Sequence, residues 1–235
     1  LNGAYITLTG GTQTTNIYMV VDQTNTVGII RPGGGHISSE GQYNFVKWIS
    51  ATGTGNYVFP FGVGGTPTDY IPFTFNKTTG GSVRVNSTMT ITTLTIPGGS
   101  NFTFQIPSGT VLTLTNGVTI PAATVDVQNG GSVLMGNGST LSVTGGTFKT
   151  TGTNDIFQQS SANKAKVSPV SGTWSFLATS GTVDLTGFWF DSLDGSGMQI
   201  NGSATLASFS GGQITNLLTT GKGLQINTTG TIPAT

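Results

Sequence analysis

From Thr88 onward the chain repeats its own turn signals at a nearly constant step, with Ser108-Gly109, Asn129-Gly130 and Thr151-Gly152 following one another. Each step encloses short runs in which apolar and polar residues alternate, such as Phe102 to Ile106, Val111 to Leu114 and Val125 to Val127. Alternation with a period of two marks a half-buried strand, and self-similarity over roughly 20 or more residues marks a solenoid. A second echo joins Val143-Thr144-Gly145-Gly146-Thr147-Phe148, Leu185-Thr186-Gly187-Phe188-Trp189-Phe190 and Phe209-Ser210-Gly211-Gly212-Gln213-Ile214, the first two separated by twice the shorter step. A coil of about 21 residues with three short strands is one rung of a parallel right-handed β-helix. The expected fold is all-β: a right-handed parallel β-helix (β-solenoid) of about seven rungs over residues 88–235. It follows an N-terminal β cap or sandwich-like region at residues 1–87.

The rival fold is an antiparallel sandwich. Asn116-Gly117, Asn129-Gly130, Asn137-Gly138 and Asn201-Gly202 all match the two-residue hairpin signal. Against it, the run after Asn116-Gly117 extends only from Val118 to Ile120 before Pro121, too short for a stable ladder partner. Helix is nearly excluded. No dozen residues keep apolar positions at three-four spacing, and the best candidate, Asp155 to Val167, is polar and supports at most a short turn. Lys164 and Lys166 within it read as exposed loop residues.

Composition explains how such a chain stays wetted. Charged residues make up 7%, against roughly 25% in ordinary soluble domains, while 43 Thr, 21 Ser and 37 Gly dominate. Threonine is β-branched and suits an exposed pleated strand, where its hydroxyl replaces a charge as the solvating group. Disorder is disfavoured, because 35% of the residues are hydrophobic and fall in alternating runs. A net charge of +0 without a basic stripe gives no reason to expect nucleic acid, and no apolar stretch reaches the length of a membrane helix. The absence of cysteine argues against a disulfide-stapled secreted domain of the eukaryotic kind, though not against bacterial export. The chain begins at Leu1 without Met or a signal-like segment and stops at Thr235 in Thr-rich, strand-like text, so it reads as a portion of a longer precursor.

The first 87 residues hold most of the aromatic residues, including Gly55-Asn56-Tyr57-Val58-Phe59-Pro60-Phe61-Gly62 and Tyr70-Ile71-Pro72-Phe73. Pro60 and Pro72 cannot donate ladder hydrogen bonds and belong at edges or connections. These stretches, with Gly28-Ile29-Ile30-Arg31, Ile37-Ser38-Ser39-Glu40-Gly41 and Phe45-Val46-Lys47-Trp48-Ile49, resemble large repetitive surface proteins of the Bacteroidota, many of them cargo of type IX secretion. The resemblance covers roughly residues 1 to 87. It implies an extracellular or cell-surface location and a β-helical architecture, and it transfers no catalytic residue. Asp191-Ser192-Leu193 also matches the short glycosylation pattern of that group.

Chemistry-bearing residues are sparse. Asp184, Asp191 and Asp194 fall close together in sequence around Phe188-Trp189-Phe190. Alternation puts Trp189 and Asp191 on one side of the strand and Phe188 and Phe190 on the other. Trp189, Asp191 and Asp194 are therefore the candidate glycan-binding residues, an outward indole beside carboxylates being suited to a sugar ring. The plainer alternative has the two Phe in the core and the two Asp shaping a turn. Asp191 to Gly195 is also a fragment of a calcium loop without the alternating ligands of a full one. His36 is the sole histidine, so neither a histidine triad nor a zinc cluster can assemble. Thr-X-Thr triplets such as Thr93-Leu94-Thr95 and Thr113-Leu114-Thr115 suggest an ice-matching surface, but their spacing is irregular. No catalytic residue, metal or cofactor is expected. The expectation is a non-catalytic structural or adhesive module, a rigid spacer or fibre subunit, with self-association or surface glycans as partners. A carbohydrate-binding or carbohydrate-cleaving β-helix is the alternative.

Overall fold

Runs such as Val-Leu-Thr-Leu at 111–114 alternate two inward apolar side chains with two outward ones, and most runs end near a glycine or proline that breaks the ladder. The computed structural model describes residues 46–50, 57–59, 71–77, 80–85, 88–153 and 163–233. Its strands are β1 (Val46–Ser50), β2 (Tyr57–Phe59), β3 (Ile71–Lys77), β4 (Ser82–Val85), β5 (Met89–Thr95) and β6 (Thr103–Ile106). They continue with β7 (Val111–Leu114), β8 (Val118–Ile120), β9 (Thr124–Gln128), β10 (Ser132–Met135), β11 (Thr140–Thr151) and β12 (Ala165–Pro169). The last are β13 (Trp174–Thr186), β14 (Phe188–Asp191), β15 (Leu193–Gly202), β16 (Thr205–Ser210), β17 (Gln213–Thr215) and β18 (Leu224–Thr228). Among the described residues there is no α-helix, and hence none long and apolar enough to cross a membrane.

Every strand pairing among the described residues is parallel, and the chain forms a β-solenoid of about six turns. The strands stack in three faces. The first holds β2, β4, β6, β9, the second halves of β11 and β13, and β16. The second holds the start of β5, then β7, β10, β12, β14 and β17. The third holds the end of β5, then β8, the first halves of β11 and β13, β15 and β18. β11 and β13 bend from the third face onto the first at Gly145-Gly146 and Gly181, which is why they are the longest strands.

Register along the first face gives the length of each turn. Ser82, Thr103, Thr124, Thr147, Thr182 and Thr205 lie one above another. The intervals from Ser82 to Thr103 and from Thr103 to Thr124 are equal and match the expected coil. Later intervals are longer, and the one from Thr147 to Thr182 contains residues 154–162, outside the described residues. The echo between the segments beginning at Val143 and Leu185 is therefore not the stacking register, because Val143 pairs with Ala178 and Thr150 with Leu185. Its later half does stack, Leu185 on Phe209 and Thr186 on Ser210.

The core is a set of inward ranks, one residue per turn. Leu112, Val133, Val167, Phe190 and Ile214 form one on the second face, and Val118, Leu141, Phe176, Met198 and Leu224 form one on the third. Burying each side chain of this kind contributes about 1.5–3 kcal/mol relative to exposure. In the later turns the ranks become aromatic. Phe190 lies 5.0 to 6.3 Å, centroid to centroid, from Phe188, Trp174, Phe176 and Phe148.

The four Asn-Gly pairs are corners between faces and not hairpin turns. Gly117, Gly130, Gly138 and Gly202 all take φ between 59° and 79°, and the strands they join pair in parallel with the turns before and after. A left-handed residue turns the chain sharply enough to start a new face.

The boundary expected at residues 87 and 88 carries no break in pairing. β3 pairs with β5, β4 with β6, and β1 with β3, all in parallel. Pro72 occupies a register shift in β3, where a missing ladder donor is tolerated. Most of the cap at residues 1–87 lies outside the described residues, as do His36 and Pro60.

Candidate functional site

β14 is the strand on which the candidate residues centre. Phe188 and Phe190 are buried, whereas Trp189 and Asp191 face outward and are half-buried, as alternation requires. The turn below holds both in place. Trp189 Nε1 donates to Thr215 Oγ1 at 2.7 Å, the Thr215 hydroxyl donates to Asp191 Oδ1 at 2.8 Å, and Asn216 Nδ2 donates to the same oxygen at 2.7 Å. From the turn above, Lys166 places its ammonium 4.9 Å from the centre of the Trp189 ring, a cation–π contact.

Asp194 is not part of this arrangement. Between it and Asp191 the chain turns a corner at Ser192, whose φ is 55°, so Asp194 lies on the third face. There it accepts hydrogen bonds from Ser175 Oγ at 2.6 Å and from its own neighbour Ser196 N at 2.9 Å. Asp184 is on the first face, accepting from Ser208 Oγ at 2.5 Å and pairing with Lys149 at 3.4 Å. The three carboxylates that cluster in the sequence are thus distributed over all three faces. Short sequence spacing does not bring side chains together when a corner separates each pair. Among the described residues no group of three or more His, Asp and Glu side chains could hold a metal ion.

The fourth described carboxylate, Asp126, is 7% exposed and accepts from Thr151 Oγ1 at 2.8 Å and Gln128 Nε2 at 3.2 Å. Each of the four therefore bonds to a residue one turn away: Asp126 to Thr151, Asp184 to Ser208, Asp191 to Thr215 and Asn216, and Asp194 to Ser175. A carboxylate in an outward rank meets a hydroxyl or amide in the next turn, and a hydrogen bond to a charged acceptor contributes more than a neutral one.

Three features escaped the sequence. Lys164 is not an exposed loop residue: it is 2% exposed, and its ammonium donates to the carbonyl oxygens of Gly211 at 2.6 Å and Thr153 at 3.1 Å. Lys166 lies within β12, half-buried over Trp189, instead of in a loop. A rank of hydroxyls, Ser82, Thr103, Thr124, Thr147, Thr182 and Thr205, runs down the first face, hidden in sequence by unequal turn lengths. It borders a shallow groove of about 370 Å³ along the corner between the third and first faces, lined by Gly81, Ser100, Asn101, Thr103, Thr124 and Thr147 among others. Beside it runs the rank Arg84, Gln105, Asp126, Lys149, Asp184, whose charges do not match an ice lattice.

No protein-family model, curated protein or solved structure matches the chain.

Proposed function

We propose that the chain is a non-catalytic structural or adhesive module of an exported bacterial surface protein, acting as a rigid spacer or a subunit of a fibre. The observation that carries this reading is the use made of its carboxylates: all four described ones tie one turn of the solenoid to a neighbouring turn. A hydrolase or lyase on this architecture needs carboxylates converging on one groove with unshared lone pairs. The four described carboxylates are dispersed over three faces and bonded to the scaffold. Uninterrupted inward ranks and an outer surface of hydroxyls and amides favour a stiff rod that needs little charge to stay hydrated. Stacked turns about 4.8 Å apart make a quasi-one-dimensional unit that other stacked units can extend.

Electron microscopy of the purified chain tests the proposal. Rods or end-to-end assemblies are expected, with a fibre reflection at about 4.8 Å along the long axis. Compact particles that stay monomeric at every concentration count against it, as does hydrolysis or elimination activity on any polysaccharide.

A further inference from the structure

We propose that the second face carries a binding site for an anionic polysaccharide, built on Trp189 and Lys166. The outward ranks of this solenoid are filled mostly by Thr, Ser, Asn, Gln and scattered charges. Among the described side chains, Trp189 is the one aromatic ring in an outward position of a strand flanked by turns on both sides. The other described rings are buried, except Phe209, which is 37% exposed and continues the inward rank of Leu185 at the last strand of the first face. A large ring on a hydroxyl surface is the exception that asks for an explanation.

The ring is also held still. Its Nε1 is bonded to Thr215, and Thr215 is bonded to Asp191, so the orientation of the indole is set before any ligand arrives. A preorganised indole loses little entropy on contact, and the half-exposed part of the ring that the Lys166 ammonium does not cover suits the C–H face of a pyranose. Above it, Lys166 supplies a positive charge that none of the four described carboxylates pairs with. Asp191 shares the face, but its Oδ1 is occupied by Thr215 and Asn216, and Asp184 is paired with Lys149. Ser132, Lys166, Trp189 and Gln213 lie in one rank, so a hydroxyl, an ammonium, an indole and a carboxamide succeed one another along the axis, spanning about 14 Å. A polymer laid along this rank meets a cation for its acidic group, a ring for its sugar face and amide or hydroxyl groups for its own hydroxyls. Of the candidates for glycan binding, Trp189 is kept in direct contact, Asp191 becomes a positioning residue and Asp194 drops out, replaced by Lys166. The site does not depend on the chain forming fibres.

Affinity electrophoresis and calorimetry with polygalacturonate and dextran sulfate, against neutral dextran, test this site and separate carboxylate from sulfate recognition. Wild type is expected to bind at least one of the anionic polymers and not dextran. Trp189→Ala and Lys166→Gln each weaken binding tenfold or more, Trp189→Phe retains most of it, and Lys222→Gln, an exposed lysine elsewhere, changes it less than twofold. Circular dichroism and melting confirm that each variant is folded. The proposal is overturned if neither anionic polymer binds, or if Lys166→Gln weakens binding while Trp189→Ala does not. Equal loss with Lys222→Gln also overturns it, since that reports general charge attraction.

Discussion

The turns from β4 to β10 and those from β11 to β18 solve the same packing problem differently. In the earlier turns the first-face step is constant from Ser82 through Thr103 to Thr124, the inward ranks are mainly aliphatic, and Thr and Gln dominate the outward positions. In the later turns a single step stretches from Thr147 to Thr182, the interior fills with Phe148, Trp174, Phe176, Phe188 and Phe190, and Asp184, Asp191 and Asp194 stitch the turns from outside. Register survives the change: Phe148 to Thr151 pair with Val183 to Thr186, and Ser132 to Met135 with Lys166 to Pro169. Turn length is therefore elastic in this fold, while the inward ranks are not.

The comparison is sharpest within a single rank, since Leu112 and Phe190 occupy the same inward column three turns apart. Phe190 touches four other rings and is fully buried, so Phe190→Ala is expected to cost about 3–5 kcal/mol, and Leu112→Ala, which removes a smaller side chain within the general range of about 2–5 kcal/mol, less than that. Urea titrations followed by circular dichroism measure both. A larger loss at Leu112 would mean that the aliphatic turns, not the aromatic ones, hold the solenoid together.

Corners test whether the two regions are equally tight where length is free to vary. A methyl group on Gly136, in the earlier turns, would lie 1.9 Å from the Thr115 carbonyl oxygen, and that on Gly152, in the later turns, 1.9 Å from the Gly187 carbonyl oxygen. Both obstacles are backbone of the adjacent turn, which cannot rotate away. Gly136→Ala and Gly152→Ala should each cost on the order of 3 kcal/mol. Gly98 has nothing within 4 Å, and Gly98→Ala should raise stability by about 0.4–1 kcal/mol by restricting the unfolded chain. Thermal melts of the three variants decide this. Tolerance at Gly152 alone would show that the long turn is looser than its register implies.

How much of this is legible in the sequence depends on the same elasticity. Alternation fixes the faces of β6, β7 and β10, and the equal steps through Thr103 and Thr124 make the coil visible. The burial of Phe188 and Phe190 against the exposure of Trp189 follows from the same rule. What fails is everything that needs the turn length to stay constant: the sequence echo aligns Val143 with Leu185 when its partner is Ala178, and the threonine rank is hidden by unequal spacings. The carboxylates fail for a different reason. Asp184, Asp191 and Asp194 are neighbours in sequence, but a corner between each pair separates them in space. Lys164 gives no signal, because its carbonyl partners at Thr153 and Gly211 are chain atoms that no side-chain pattern encodes.

The smallest effects lie on the outer surface, where hydroxyls bond between turns in both regions, Thr93 with Asn116 in the earlier turns and Ser208, Thr215 and Ser175 with carboxylates in the later ones. Thr215 in the later turns accepts from Trp189 and donates to Asp191, so Thr215→Val removes two bonds and leaves an indole N–H and a carboxylate oxygen partly unmatched. Water reaches this half-buried site, which limits the loss to about 1–2 kcal/mol. The freed indole should also become more mobile, seen as a red shift and easier acrylamide quenching of tryptophan emission, with Trp48 and buried Trp174, unchanged in the variant, providing the constant background. Thr119, an exposed outward residue in the earlier turns, is bracketed by Thr95 and Ser142 in its rank. Thr119→Val should change stability by no more than about 0.5 kcal/mol. Equal losses at the two positions would show that the hydroxyl ranks stabilise the solenoid as uniform ladders. A loss confined to Thr215 would show that the outer surface contributes only where a carboxylate draws the hydroxyls of two turns together.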